Sequence, residues 1–461
     1  SIRDAVRLVA TGYEPHQLLA ELARDDARRA EYGTTHVLAV AADCGRFLKS
    51  RPGAAAVYAI APVIDLSIEE SQRLSAHPAV EAATDLPDDD AAICHRLNAA
   101  VEAEDLPRAE SILRGAHAMG RVRSTIETWL FDLLAEHFLS FGHPLIYLIK
   151  ARELLDRVGD AAARDIHCGL LRGIVYGTRE DTLPYMRAYA QRLAEATVEL
   201  EDLHRRQDTT ADAAFDARAF VDAVLDAPSP GGACDQLMAA LRAGVSAQLI
   251  AESLVIAGAH RFARFDVAHE QNPDLAENWL WATHRFTFAA AVRHAVAGFD
   301  RPRSLRFLFQ ALMFIHSGRR MDLPLEAREN SILSGPAGEG ASAQAIMEAI
   351  GKKDATSAVR RLRSLLRNRD EAALRQLRVA LEAFCLNDPV VRPIVLAHVI
   401  KLVVAAFEEW EHLADQEEAG IPLLGLVRFL ASPIQERRVH SAVHASIGWV
   451  VEGLVPRKLT Q

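Results

Sequence analysis

Apolar residues recur three and four positions apart along almost the whole chain. HQLLAELARDDARRAEY (16–32), DLPRAESILRGAHAM (105–119), MRAYAQRLAEATVELEDLHRR (186–206) and ATSAVRRLRSLLRNR (355–369) place them at i, i+3, i+4 and i+7. That spacing lines one face of an α-helix. Alternation with a period of two is nearly absent, and AAAVYAIAPVI (54–64) is the one weak strand candidate. The pattern predicts an all-α, multi-helical protein. Breakers interrupt it at Pro52-Gly53, DLPDDD (85–90), DAPSPGGA (226–233) and SGPAGEGAS (334–342).

A chain of 461 residues exceeds the usual size of one core, so two structural halves are expected. The mid-chain break at 226–233 marks the candidate linker, giving an N-terminal helical half at 1–225 and a C-terminal half at 234–461. The longest apolar run is PIVLAHVIKLVVAAF (393–407). It is too short to span a bilayer and reads as a buried helix that contains His398 and Lys401.

Composition narrows the classes further. The net charge of −10 is spread over interspersed acids and bases, which points away from nucleic acid and from a polybasic membrane anchor. Five scattered cysteines, Cys44, Cys94, Cys168, Cys234 and Cys385, form no CxxC and read as reduced thiols of a cytoplasmic protein. The N-terminus, SIRDAVRLVA, lacks both the apolar core of a signal peptide and an initiator Met, so a trimmed chain or part of a longer product is expected. No P-loop, dinucleotide GxGxxG, HExxH or GxSxG is present.

A faint duplication runs through the chain at an offset of about 250 residues. THVLAVAA (35–42) is similar to THRFTFAA (283–290), DLPRAESILR (105–114) to DATSAVRRLR (354–363), and the segment from His143 to the segment from His398. The last pair shares Ala151 with Ala406 and Glu153 with Glu408. Two of the three pairs align a histidine with a histidine. Two similar halves about a pseudo-two-fold axis would bring His36, His143, His284 and His398 together, as helical bundles do when they build metal sites from facing helices. A solenoid-like bundle with a central metal site is therefore expected.

Among the 18 histidines, these four stand in apolar runs, whereas His16, His77, His95 and others sit in polar surroundings. Neutral imidazole binds iron, copper, zinc or nickel. Lys401 lies between Ile400 and Leu402, one helical turn after His398, so the two share a face. Its stem either snorkels to the surface or places the amine beside the metal. There it could lose its charge or take up carbon dioxide as a carbamate. Imidazoles with one carboxylate-type ligand suit non-haem iron.

TTHVLAVA (34–41), HPLIYLIKARELL (143–155), RFARFDVAHEQNPDLAENWLWATHRFTFAAAVRHA (261–295), LFQALMFIHSGRRMD (308–322) and AHVIK (397–401) together resemble the questin oxidase-like family. These are all-helical oxygenases of aromatic polyketide pathways, with relatives found beside or fused to Rieske modules. The resemblance implies Fe(II) held by His36, His143, His284, His398 and a carboxylated Lys401, with dioxygen as co-substrate. It implies oxygen insertion next to a carbonyl, or ring cleavage, on a small aromatic substrate. The electron source, NAD(P)H, another external donor or a Rieske-type redox partner, stays open. Lys150 and Tyr147 stand where several relatives carry a second histidine, and His316 where many carry asparagine.

Tyr147, Trp281 and His316 are expected to line the substrate cavity. Thr35, Thr283, Glu153, Glu408 and Asp266 are candidates to orient the ligands, and capping explains the threonines equally well. The same ligands would serve zinc in a hydrolase or isomerase, and amphipathic helix pairs also build non-enzymatic scaffolds.

Overall fold

The computed structural model describes residues 1–207, 209–272, 277–324, 340–416, 418–434 and 438–455. Among the described residues there are 24 α-helices, short 3-10 turns and no strand, so the chain is all-α. Among the described residues, the ladder-like contacts are two isolated bridges, Leu139 with Arg179 and Phe265 with Asp322. No described helix is long and apolar enough to cross a membrane.

The chain forms two compact units. The first comprises Ser1–Arg179 and Cys385–Lys401. It contains α1 (Ile2–Ala10), α2 (Pro15–Arg29), α3 (His36–Phe47), α4 (Val57–Glu70), α5 (Asp90–Glu102), α6 (Leu106–Ala118), α7 (Arg123–Glu136), α8 (His143–Val158) and α9 (Ala163–Val175).

The second unit comprises Glu180–Phe384 and Leu402–Gln461. It contains α10 (Arg187–Thr197), α11 (Leu200–Arg205), α12 (Thr209–Asp212), α13 (Ala217–Asp226), α14 (Pro230–Arg242), α15 (Ala247–Arg264), α16 (Val267–Gln271), α17 (Trp279–Gly298), α18 (Ser304–Ser317), α19 (Ala343–Gly351), α20 (Ala355–Arg367) and α21 (Glu371–Cys385). Helix α22 (Pro393–His412) begins in the first unit and passes into the second after Lys401, and α23 (Ile421–Leu430) and α24 (Arg438–Val450) follow.

The units divide at Arg179/Glu180, and the break at 226–233 lies inside the second one. There the chain turns from α13 into α14, with Ser229 capping the Gly232 amide at 3.2 Å and Pro230 at the first helical position. Pro and Ser are start signals for a helix as much as linker residues. Of the break at 334–342, residues 334–339 lie outside the described residues; Ser342 caps α19.

The weak strand candidate 54–64 is helical, as a 3-10 turn at Gly53–Ala56 followed by α4, which accommodates Pro62. Val57, Ile60, Val63 and Ile64 are buried along one side, a helical spacing that a short apolar run hides. The stretch 186–206 is two helices, α10 and α11. They part at Val198, which is 87% exposed and offers no apolar contact to carry the helix on.

The paired segments 105–114 and 354–363 are entered in the same way. A left-handed residue, Glu104 (φ 55) or Lys353 (φ 56), precedes an aspartate that caps α6 or α20. The histidine pairs are less alike. His36 is the first residue of α3 and His143 the first of α8, whereas His284 and His398 each sit a turn and a half inside a 20-residue helix.

Candidate metal centre

Three of the proposed ligands and the lysine belong to the first unit. His36 is placed by what precedes it. Gly33 has a φ of +108°, and a Cβ there would fall 2.4 Å from the Gly169 carbonyl oxygen of α9. Only glycine allows this approach, and the Thr34 amide then donates to the same carbonyl at 3.3 Å. Thr35 caps α3, its hydroxyl accepting the Val37 amide at 3.2 Å. The Thr35 amide and hydroxyl both donate to the buried Asp26 carboxylate, each at 2.9 Å.

His143 is aimed by strained backbone. Ser140, Phe141 and Gly142 have φ values of 43°, 57° and 83°, a left-handed run that costs energy at the two non-glycine residues. It turns the Ser140 carbonyl back onto His143, whose Nδ1 lies 2.6 Å away. On α22, His398 Nδ1 lies 2.7 Å from the Ile394 carbonyl. Both carbonyls accept an Nδ1–H and fix the tautomer that presents Nε2 as a ligand. The His36 ring centroid is 5.0 Å from that of His143 and 4.8 Å from that of His398.

In the second unit, His284 is buried on α17. Its Nδ1 and the Thr283 hydroxyl both donate to the Leu280 carbonyl, so it too presents Nε2. Within the first unit, one ring nitrogen from each of His36, His143 and His398 lies within 4.8 Å of the other two. A metal about 2.1 Å from each nitrogen holds an opposed pair about 4.2 Å apart, so a shift of a few tenths of an ångström would close this group on an ion. The donor set fits a divalent transition metal.

Lys401 is 3% exposed, so its stem does not snorkel. Burial pushes its pKa down to about 7, Asp43 opposing the shift and Lys150 adding to it. Burial, then Lys401, pushes His143 down to about 4. Near neutral pH the His143 imidazole is therefore uncharged, and a large share of Lys401 is neutral amine.

A charge network links α3 to α8. Asp43, fully buried on α3, meets Lys150 Nζ at 2.5 Å. Lys150 also meets Glu153 at 3.0 Å, and Glu153 accepts from Arg46 at 2.6 Å and Arg157 at 2.5 Å.

A cavity of 270 Å³ opens beside the group, lined by His36, His143, Tyr147, Glu70, Tyr32 and Tyr176 among others. The Tyr147 hydroxyl lies 3.4 Å from His36 Nδ1, and burial raises its pKa well above 10, so it stays a phenol.

No family model, curated protein or solved structure matches this chain.

Of the three expected cavity residues, Tyr147 lines this opening. His316 lies in the second unit with both nitrogens engaged, Nε2 donating to the Ala227 carbonyl at 3.0 Å and Nδ1 accepting from the Tyr189 hydroxyl. Trp281 is half-buried in the first turn of α17, its amide meeting the Asn278 cap. Of the expected orienting acids, Glu153 joins the Lys150 network, Glu408 meets His294 at 3.0 Å, and Asp266 caps α16.

Asp26 and Asp43 are the site residues that sequence reasoning missed. Asp43 carried a signal, being the one charge in HVLAVAADC and two turns from His36 on the same face. Asp26 sits in ARDDARR, where nothing marks one acid as buried.

Burial raises the Asp26 pKa to about 7, against the lowering effect of its Thr35 bonds. A carboxyl raised on folding favours the folded state below its unfolded pKa, near 4, and loses that advantage as pH rises through 7. The parent should therefore lose about 4 kcal/mol between pH 4 and pH 8 relative to Asp26→Asn, whose side chain does not titrate. Urea unfolding of both proteins across that range measures it; parallel stability curves would refute the assignment.

Proposed function

We propose that this chain is a non-haem iron oxygenase whose metal is held by His36, His143, His284 and His398, with Lys401 as the fifth ligand. The observation that carries the reading is the company Lys401 keeps. A buried lysine one turn from His398, in the unit that also holds His36 and His143, has its ammonium disfavoured by burial. Stability alone gives little reason to bury an amine.

As free amine, Nζ offers a lone pair directly, or attacks carbon dioxide and loses a proton to become a carbamate, an anionic oxygen donor. Four neutral imidazoles and one anion leave about one open position on an octahedral ion. Iron bound there would activate dioxygen for insertion beside a carbonyl or for ring cleavage. The protein's own part is to hold the imidazoles in one tautomer through the Ser140, Ile394 and Leu280 carbonyls. The 270 Å³ opening admits a small aromatic substrate, with the Tyr147 phenol able to donate to a substrate oxygen. The order and spacing of the segments that resemble the questin oxidase-like family support the same reading.

Metal analysis by mass spectrometry, on protein purified without chelator, tests it. About one iron per chain is expected, with less in Lys401→Ala. Oxygen uptake with hydroxylated anthraquinones and related polyketides should follow, and runs with and without NAD(P)H or a Rieske-type donor separate dioxygenase from monooxygenase chemistry. Stoichiometric zinc without oxygen uptake would replace this reading with a hydrolase. No metal after anaerobic loading with iron(II) would leave a helical scaffold.

A further inference from the structure

A second pocket in the first unit, of 530 Å³, is lined by Arg114, His117, Arg164 and Asp165 with apolar walls that include Val80 and Ala82. Its size is that of a small-molecule site. Its charges do not cancel locally. Asp165 is already engaged by Arg24 at 2.7 Å and lies 3.9 Å from Arg164, which is 57% exposed. Arg114 meets the buried Glu110 at 2.7 Å, but Glu110 also serves Arg172 at 2.9 Å. One carboxylate thus answers two guanidiniums, and positive charge faces the pocket.

His117 registers that field. Its pKa is pushed down to about 4, by burial first and then by His167, Arg164 and Arg114, with Asp165 opposing. Behind it, His117 Nε2 lies 3.2 Å from Nδ1 of the fully buried His167, and His167 Nε2 lies 3.9 Å from the buried carboxylate of Glu127. None of these residues belongs to the candidate metal centre.

We propose that this pocket binds a small polyanion carrying phosphate or carboxylate groups, held by Arg114 and Arg164 with His117 at its base. Guanidinium forks suit both anions, which they bind through paired hydrogen bonds. The incoming charge reverses the field at His117. Binding is therefore accompanied by proton uptake at His117, whose Nε2 neighbour His167 leads on to Glu127.

Calorimetric titration of the full chain at pH 6.5, in two buffers of different ionisation enthalpy, tests this. Pyrophosphate and tricarballylate serve as separate probes, and metal content is checked before and after. Saturable one-to-one binding of either probe is expected, with more proton uptake (or less release) than in His117→Gln, and the tighter probe names the anion class. Arg164→Gln, at an exposed position, should weaken binding at least about 10-fold, and the proton change on binding should be shifted toward release in His117→Gln; an unchanged proton count would remove His117 from the site. Arg164 bears the test because Arg114 also supports Glu110. Absence of saturable binding by both probes overturns the proposal. So does equal affinity in the parent and Arg164→Gln, which would mark an adventitious ion only.

Discussion

His398→Ala protein, purified in parallel with the parent, will contain almost no iron and show no turnover. The helix around the substitution should persist, because alanine is a good helix former and the surrounding Val395, Val399 and Leu402 keep their burial. What disappears is one imidazole whose orientation was fixed by the Ile394 carbonyl. Loss of a group that merely orients a ligand weakens metal binding about 10–100-fold, and loss of the ligand itself should exceed the upper figure. Circular dichroism should show unchanged helix while mass spectrometry shows the metal gone. Retained stoichiometric iron in the folded variant would sink the five-ligand assignment.

The second large effect concerns stability. Lys150→Ala leaves the fully buried Asp43 without its ammonium partner and takes one cation from Glu153. Removing one member of a buried pair costs about 3–5 kcal/mol, because the other charge stays desolvated. Urea unfolding at pH 7 should show this loss. Asp43→Asn combined with Lys150→Met should recover most of it, since replacing both charges removes the desolvation cost along with the attraction. Burial already raises the Asp43 pKa, with Lys150 opposing. Without that lysine the carboxyl holds its proton to higher pH, and the variant's deficit should shrink as pH falls. A loss below about 1 kcal/mol at pH 7 would mean that Asp43 is hydrated in solution.

The helical class was legible because amphipathic spacing is written locally. The periodic stretches 16–32, 105–119 and 355–369 became α2, α6 and α20 within a few residues of their ends. Legibility failed where apolar density hid the period, as at 54–64, and where one exposed residue ended a helix, as at Val198. The candidate ligands could be picked out because a histidine or a lysine inside an apolar helix is costly. Their partners could not, because the carbonyls of Ser140, Ile394 and Leu280 carry no side-chain signature. The left-handed run before His143 was equally silent, since Ser140 and Phe141 are not residues that advertise positive φ. Division into units was hidden for another reason. The segment Cys385–Lys401 belongs with residues far upstream, and local pattern holds no record of long-range return.

That return has a consequence during synthesis. The first unit cannot be completed when Arg179 leaves the ribosome, because the stretch bearing His398 and Lys401 is still unmade. Translating Glu180–Phe384 takes roughly 10–40 s at ordinary elongation rates. In the proposed centre, only His36, His143 and, once translated, His284 would be available during that interval, without His398 and Lys401. If the proposed centre holds, metal loading waits until Lys401 has been made.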